Sequence, residues 1–538
     1  MSRPALQSLR LTNFKPYGQK IEIPLAPVTL IYGPNSAGKS SIIQSLLLMK
    51  QTVARGDGML QPQGEHIDLG SFASLIHKHD STRSLDVGLR FRPAGEPKGS
   101  LLDQWKKDEG RVSLNKWLKD NAANWRVGSL DLELSFKSIE PDIKSSGGMR
   151  RRIAFSIRKD SGVDLQLPFE TSFETSFSQE IFSEAWGIDR KAVFRLTENG
   201  CHSLADAVLP EIQKRQEEFL SSAEGTGSLT DEQIRSGILD FLQEVESECK
   251  GRLFPEELEW NGIDGPSSDY KYNEWENFLQ ELEFFLQDLA KPPKLFLAGL
   301  QYVGPLRSRP LRVYQGENDP NWRIRSDGTN WFRPLVHQAS YAKRVINEWF
   351  KEFKLGYKIS IDEIGSEVSG AIYTASLVDQ GDVKVTLADA GFGLSQLLPI
   401  MVSVFADPCS AVCVEQPELH LHPRLQAQLA DYLACTAGVM KPQDIAQKSE
   451  ELRAGSLSSD DRAAQWIVET HSELLIMRLQ RRIRERKLSH QDISVLYVDR
   501  DENGSYVQQL RLDEDGEFID DWPDGFFDDG FQELYPRS

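Results

Sequence analysis

Cysteine is scarce in this chain. Five residues, at 201, 249, 409, 413 and 435, are spread through 538 positions, and none forms a C-x-x-C pair. That spacing argues against a structural zinc site. Cys409 and Cys413 fall in an apolar run and read as small core residues. Long apolar runs are missing too, since none approaches the roughly 20 residues of a membrane helix. The opening residues MSRPALQSLRLTNF lack the pattern of a secretory leader, so a cytoplasmic protein with no membrane partner is expected. An excess of positive charge is absent: the formal net charge is −19, which disfavours a surface basic all over. Basic clusters at 149–159, 305–312 and 480–487 read as solvated faces before they read as phosphate contacts. No long coiled coil and no internal repeat is visible.

What remains is ordinary for a globular chain, with 39% hydrophobic and 27% charged residues. One stretch is not ordinary. GPNSAGKS (33–40) fits the pattern G-x-x-x-x-G-K-S, follows the β-branched run VTLIY and precedes SSIIQSLLLMKQTV, which has helical periodicity. Phosphates need many N–H donors at close range. Gly33 and Gly38 let the backbone fold into such a cradle, with Pro34, Asn35, Ser36 and Ala37 between them. Lys39 is placed to reach the outer phosphates and Ser40 to ligate Mg²⁺, with Ser41 behind them at the helix start. ATP and Mg²⁺ are therefore the expected cofactors.

Three further stretches carry matching chemistry. SAVCVEQPELHLHP (410–423) begins as a buried strand and ends in Glu415, an acid suited to hold the magnesium. The next residue, Gln416, can orient a water but cannot accept its proton. Glu418 is the neighbouring acid, and Pro423 is suited to open a helix. His420 and His422 alternate along a segment read as extended, which separates them and argues against a shared metal. WIVETHSELL (466–475) is another apolar strand, followed by His471 within expected reach of a γ-phosphate. GFGLSQ (391–396) pairs Gly391 and Gly393, read as freeing the backbone, with Ser395, read as a helix start and second anion site. Glu415, Gln416, Glu418 and His471 are the catalytic candidates. Gly393, Ser395 and Gln396 join the phosphate loop as nucleotide-binding candidates.

The order of phosphate loop, long insertion, GxGxSQ stretch, acid-ended strand and histidine loop resembles the ABC-type ATPase heads. It is closer to the RecF, SMC-like and OLD ATPases, where EQPELHLHP and ETHSE have counterparts. The resemblance implies an α/β head, with a mixed sheet on a phosphate-loop core and an antiparallel β subdomain, split by a mainly helical insertion. It also implies a homodimer with two ATP molecules at the interface, each completed by the partner's GxGxSQ stretch, and a higher assembly is compatible with that. The divisions expected are 1–95 and 301–490 for the two parts of the head, 96–300 for the insertion, and 491–538 for a C-terminal module. Within the insertion, 205–290 reads as a helical lobe. Two apolar stripes, Ile234 to Cys249 and Trp275 to Leu289, form a core seam or a partner-docking face.

The final stretch DEDGEFIDDWPDGFFDDGFQEL resembles the C-terminal module of a subset of these ATPases that act in the Septu and retron antiphage systems. In that setting the expected partner is an HNH nuclease, with a reverse transcriptase and its RNA/DNA product as further partners. A DNA-repair or chromosome clamp that binds nucleic acid directly is the competing function, and the acidity weighs against it. A nuclease in its own right is the third, but 67 residues after His471 are too few for the Toprim domain of OLD proteins. With glutamine at the water-activating position, slow ATP hydrolysis is expected.

Overall fold

The computed structural model describes residues 5–55, 60–92, 127–138, 149–159, 164–178, 187–196, 293–315, 324–337, 341–365, 371–406, 408–445, 449–450 and 463–523. The stripes Ile234 to Cys249 and Trp275 to Leu289 lie outside these residues. The chain separates into two compact units, one of 1–20, 51–64 and 68–295, the other of 21–50, 65–67 and 296–538.

The first unit is built on antiparallel strands. Ala5–Thr12 pairs Leu85–Arg92, which pairs Val127–Ser138, and Met149–Lys159, Asp164–Ser178 and Gly187–Leu196 follow in order. Alternation decides which face is buried. Leu85, Val87, Leu89 and Phe91 point inward, as do Leu132, Leu134 and Phe136 on the adjoining strand. An antiparallel β subdomain is thus present, as the resemblance implied.

The second unit carries the parallel sheet. Its strands are β1 (Val28–Tyr32), β2 (Leu300–Val303), β3 (Ala411–Glu415), β4 (Gln465–Glu469), β5 (Ile493–Asp501) and β6 (Gly504–Leu510), in spatial order β6-β5-β1-β4-β3-β2. All neighbours are parallel except the β5–β6 hairpin. β1, β3 and β4 are buried at every position, which explains their unbroken apolar runs. The hairpin forms where Asn503-Gly504 predicts it, with Asp501 accepting from both turn amides. Residues 493–510, read from sequence as part of a separate module at 491–538, pair with β1 and so extend this sheet.

Helices follow the strands. α1 (Lys39–Arg55) continues the phosphate loop, α2 (Tyr341–Glu352) precedes a small antiparallel sheet, and α3 is Phe392–Ser403. α4 (Pro423–Thr436) follows β3, and α5 (Glu473–Arg484) follows β4. Pro423 opens α4 as its sequence context suggests, and the ring of His422 caps it by accepting from Arg424 N at 3.2 Å. One core holds the unit together, with Trp349, Tyr432 and Trp466 stacked edge-on at its centre. Cys409 is buried in it and Cys413 is buried on β3, both as free thiols.

α4 and α5 are pinned by a buried ion pair. Arg482 donates from Nε to Asp431 Oδ1 at 2.7 Å and from Nη2 to Oδ2 at 2.9 Å, and Arg478 adds a bond from its side. Both Asp431 and Arg482 are over nine-tenths buried. Asp431→Ala leaves the buried Arg482 guanidinium with Glu485 as its remaining acid, through Nη1 at 2.7 Å, and should cost about 2–4 kcal/mol. Adding Arg482→Met removes that buried charge and should recover part of the loss. Thermal melting of the two variants checks the order, which fails if the double variant melts below the single one.

Candidate active site

The parallel strands end on one edge of the sheet, the edge where α/β proteins bind ligands. At that edge the backbone of residues 33–38 turns sharply. Gly33 (φ 138°), Ser36 (φ 63°) and Gly38 (φ 112°) all occupy left-handed or related positive-φ geometry. A Cβ on Gly33 would lie 2.0 Å from the carbonyl oxygen of Val498, so only glycine fits there. This cradle, closed by α1, suits an anion. Lys39 Nζ donates to the carbonyls of Gly33 and Pro34 at 3.0 and 2.8 Å, which holds the ammonium over the loop.

Two carboxylates face the loop. Parallel pairing of β3 and β4 puts Glu415 directly beside Glu469, the last residues of their strands. Ser40 Oγ donates to Glu469 Oε2 at 2.8 Å, and Lys39 Nζ is 4.0 Å from Glu469 Oε1. The Tyr302 hydroxyl donates to Glu415 Oε1 at 2.8 Å. Burial, and then the neighbouring charge of Glu469, push the Glu415 carboxyl up to about 7, and burial raises Glu469 as well. Burial likewise lowers the proton affinity of Lys39.

These groups fit Mg²⁺ bound with a nucleotide. Hydroxyl and carboxylate oxygens are the ligands a hard cation prefers, and Mg²⁺ takes few of them from protein when phosphates supply the rest. Among the described residues, no group of three or more His, Cys, Asp or Glu side chains able to hold a metal occurs. Ser40, Glu415 and Glu469 are the residues that would hold it.

The other predicted residues fall as follows. Gln416 is half-buried with a left-handed backbone (φ 47°), its N–H donating to Glu469 O at 2.7 Å. Glu418 accepts from Thr470 Oγ1 at 2.6 Å and from His471 N at 2.7 Å, so it ties the ends of β3 and β4 together. Burial keeps the His471 ring below its ordinary proton affinity, and nearby Lys39 adds to that. The Gly391–Gln396 stretch differs from expectation. Its helix starts at Phe392 with Gly391 as cap, so Ser395 lies inside the first turn, and Ser395 and Gln396 are buried. Neither glycine needs a positive φ, and Gly393 is required because a Cβ would meet the carbonyl oxygen of His420 at 2.6 Å. Residues 417–420 form a turn rather than an extended segment, with His420 left-handed (φ 62°) and His422 spent on the α4 cap.

Three residues escaped the sequence reading. Glu469 ends an apolar strand as Glu415 does, and that parallel was visible in WIVE beside VCVE. Tyr302 and Arg307 had no such signal. Arg307 lies in a cluster read as a solvated face, yet it is 6% exposed and donates from Nη2 to Glu415 O at 2.7 Å.

A glycine-rich phosphate cradle beside paired acids at the ends of parallel strands defines a phosphate-loop nucleoside triphosphatase. The chain belongs to the AAA ATPase domain family, whose model matches residues 5–476. Residues 488–535 match a family described as a protein of unknown function, DUF3696. No curated protein matches the chain. Among solved structures it is similar to the SMC head domain from Thermotoga maritima, with 10% identity over 94% of this chain and 99% of that one, at a TM-score of 0.32. It is also similar to a Pyrococcus furiosus Smc head domain with an extended coiled coil, bound to the C-terminal domain of ScpA. That match has 11% identity over 94% and 96% of the two chains, at a TM-score of 0.34. No helix among the described residues is long and apolar enough to cross a membrane.

The raised proton affinity of Glu415 has a consequence for stability. Its folded value of about 7 lies above the ordinary carboxylate value, so the fold prefers the protonated acid. The metal-free protein should therefore lose stability as pH rises from the ordinary carboxylate range through about 7. Glu415→Gln should raise the melting point at pH 8 in EDTA by roughly 1–3 kcal/mol equivalent, with little change at pH 5. A wild-type melting point that rises over the same interval, with no gain from Glu415→Gln, contradicts this.

Proposed function

We propose that this protein is a homodimeric ATPase that binds ATP tightly, hydrolyses it slowly, and uses the bound state as a scaffold for a nuclease partner. The observation that carries the reading is Gln416. It stands directly after the acid that ends β3, where its backbone is bonded to Glu469, and its amide cannot take a proton from water. Lys39, the loop N–H groups of 33 and 35–38 and the α1 start with Ser41 would hold the phosphates. Ser40 and Glu415 would hold the magnesium, with Glu469 beside them. When bound, Mg·ATP supplies the electrophilic γ-phosphorus, and the chain positions the water. His471, kept neutral by burial, is a hydrogen-bond partner for the phosphate side. Each oxygen of Glu418 already accepts one bond, which favours an anchoring role over that of a base.

In the dimer, the stretch with Gly393, Ser395 and Gln396 completes the partner's site. Because Ser395 and Gln396 are buried, the backbone at the start of α3 is the part presented. The C-terminal resemblance supports placing this chain with PtuA, the ATPase of Septu and retron antiphage systems. Its partner would then be an HNH nuclease of the PtuB kind, with a reverse transcriptase and its RNA/DNA product as further partners. The chain itself cuts no nucleic acid and works in the cytoplasm. A net charge of −19 favours a protein partner over direct DNA clamping.

Gln416→Glu should supply the missing base and raise steady-state phosphate release, by up to roughly 10²–10⁴-fold where the site tolerates the charge. The ATP-bound dimer should then dissociate sooner in mass measurements, and Lys39→Ala should form no such dimer. A Gln416→Glu rate no higher than wild type, together with a collapse in Glu418→Gln, would move the base to Glu418 and overturn the slow-hydrolysis reading.

A further inference from the structure

The carboxylate of Glu415 is held by a neighbour that no strand end requires. Tyr302 stands on β2 in register with Cys413 of β3, and alternation along β3 puts Glu415 on the same face as both. The Tyr302 ring leans forward along the sheet, and its hydroxyl donates to Glu415 Oε1 at 2.8 Å. The position that the ring passes over is Gly304. A Cβ there would lie 3.3 Å from the Tyr302 hydroxyl and 3.1 Å from the carbonyl oxygen of Ser326. Gly304 has no positive φ to explain it, so what it supplies is room for the phenol.

This contact decides how the acid is presented. An ionised carboxylate only accepts hydrogen bonds, and a phenol has one proton to give, so the bond takes up Oε1. Ser40, at the magnesium position, neighbours the same carboxyl from the side of the phosphate loop. Glu469 flanks Glu415 from β4, on the side away from Tyr302. Glu415 is itself buried, so it has little freedom to turn between these neighbours. Mg²⁺ demands near-octahedral geometry at about 2.0–2.1 Å, which suits a single oxygen from such an acid. Ca²⁺ is larger, accepts both oxygens of one carboxylate and takes about six to eight ligands in flexible geometry.

We propose that Tyr302 is a positioning residue that presents Glu415 to the metal through one oxygen and so selects Mg²⁺ over Ca²⁺ in the nucleotide complex. The inference rests on the ATP site proposed above. Groups that orient a metal ligand typically contribute roughly 10–100-fold to metal affinity. Here the orienting bond does more than fix a rotamer. It occupies the oxygen that a two-oxygen mode would need. Removing it takes an aimed ligand from the small ion and opens a second oxygen to the large one.

The test compares metals. Binding of AMP-PNP is measured by calorimetry in Mg²⁺, in Ca²⁺ and in EDTA, for the wild type, Tyr302→Phe and Lys39→Ala. The wild type should bind most tightly with Mg²⁺. Tyr302→Phe keeps the ring and removes the donor. It should weaken binding in Mg²⁺ by roughly 10–100-fold and leave binding in Ca²⁺ and in EDTA within about 3-fold of wild type. Wild-type affinity in EDTA certifies the fold of the variant. Equal losses in all three conditions would reduce Tyr302 to a structural prop. Equal losses in the two metals alone would leave it orienting Glu415 without selecting an ion. No loss in Mg²⁺, or a wild type that binds equally well in both metals, would remove the selection altogether. Each of these results overturns the proposal. A wild type that binds in none of the three conditions, or a Lys39→Ala that binds as wild type in all of them, refutes the ATP site itself and the proposal with it.

Discussion

The second unit depends on holding two carboxylates side by side without letting them repel the sheet apart. Parallel pairing leaves no choice in this: β3 and β4 end in register, so Glu415 and Glu469 are neighbours. The surrounding groups reduce the conflict. Tyr302 donates to one acid, Ser40 to the other, and the Lys39 ammonium stands 4.0 Å from Glu469. Burial nevertheless keeps Glu415 reluctant to ionise. A divalent cation held there would offset the remaining repulsion between the two acids.

The phosphate loop is braced from the C-terminal side of the chain. Val498 on β5 places its carbonyl where a Cβ of residue 33 would be, and Ser505 on β6 donates to the Ala37 carbonyl. Trp522 packs edge-on against Tyr32 and Tyr497 with ring centroids 5.4 and 6.4 Å away. Tyr32 in turn donates to Ser472 O, just past His471. The hairpin and its following turn thus form the back wall of the nucleotide site.

The slow turnover proposed above rests on this local geometry. Gln416 lacks a basic atom, yet it sits in a strained turn that Glu469 and Arg307 hold from two directions. In that proposal an amide at this position would orient a water without accepting its proton.

Much of this was legible in the sequence. The phosphate loop, its flanking strand and helix, the acid-ended β3, the proline start of α4 and the Asn503-Gly504 hairpin are local features. Their residue types dictate their own backbone geometry, so GPNSAGKS and VTLIY could be read without partners. Reading GFGLSQ failed by three residues because Gly393 answers to the His420 carbonyl, a contact across the chain, and not to its own φ. Glu469, Tyr302 and Arg307 depend wholly on tertiary structure. Strand register puts Glu469 beside Glu415, and folding turns Arg307 from one of several arginines in a basic cluster into a buried donor to the carbonyl that ends β3. The sequence by itself determined which segments can cradle phosphate and carry acid. Only the packing of strands far apart in the chain decided which charges meet there, because electrostatic coupling is set by distance and burial in space, not by separation along the chain.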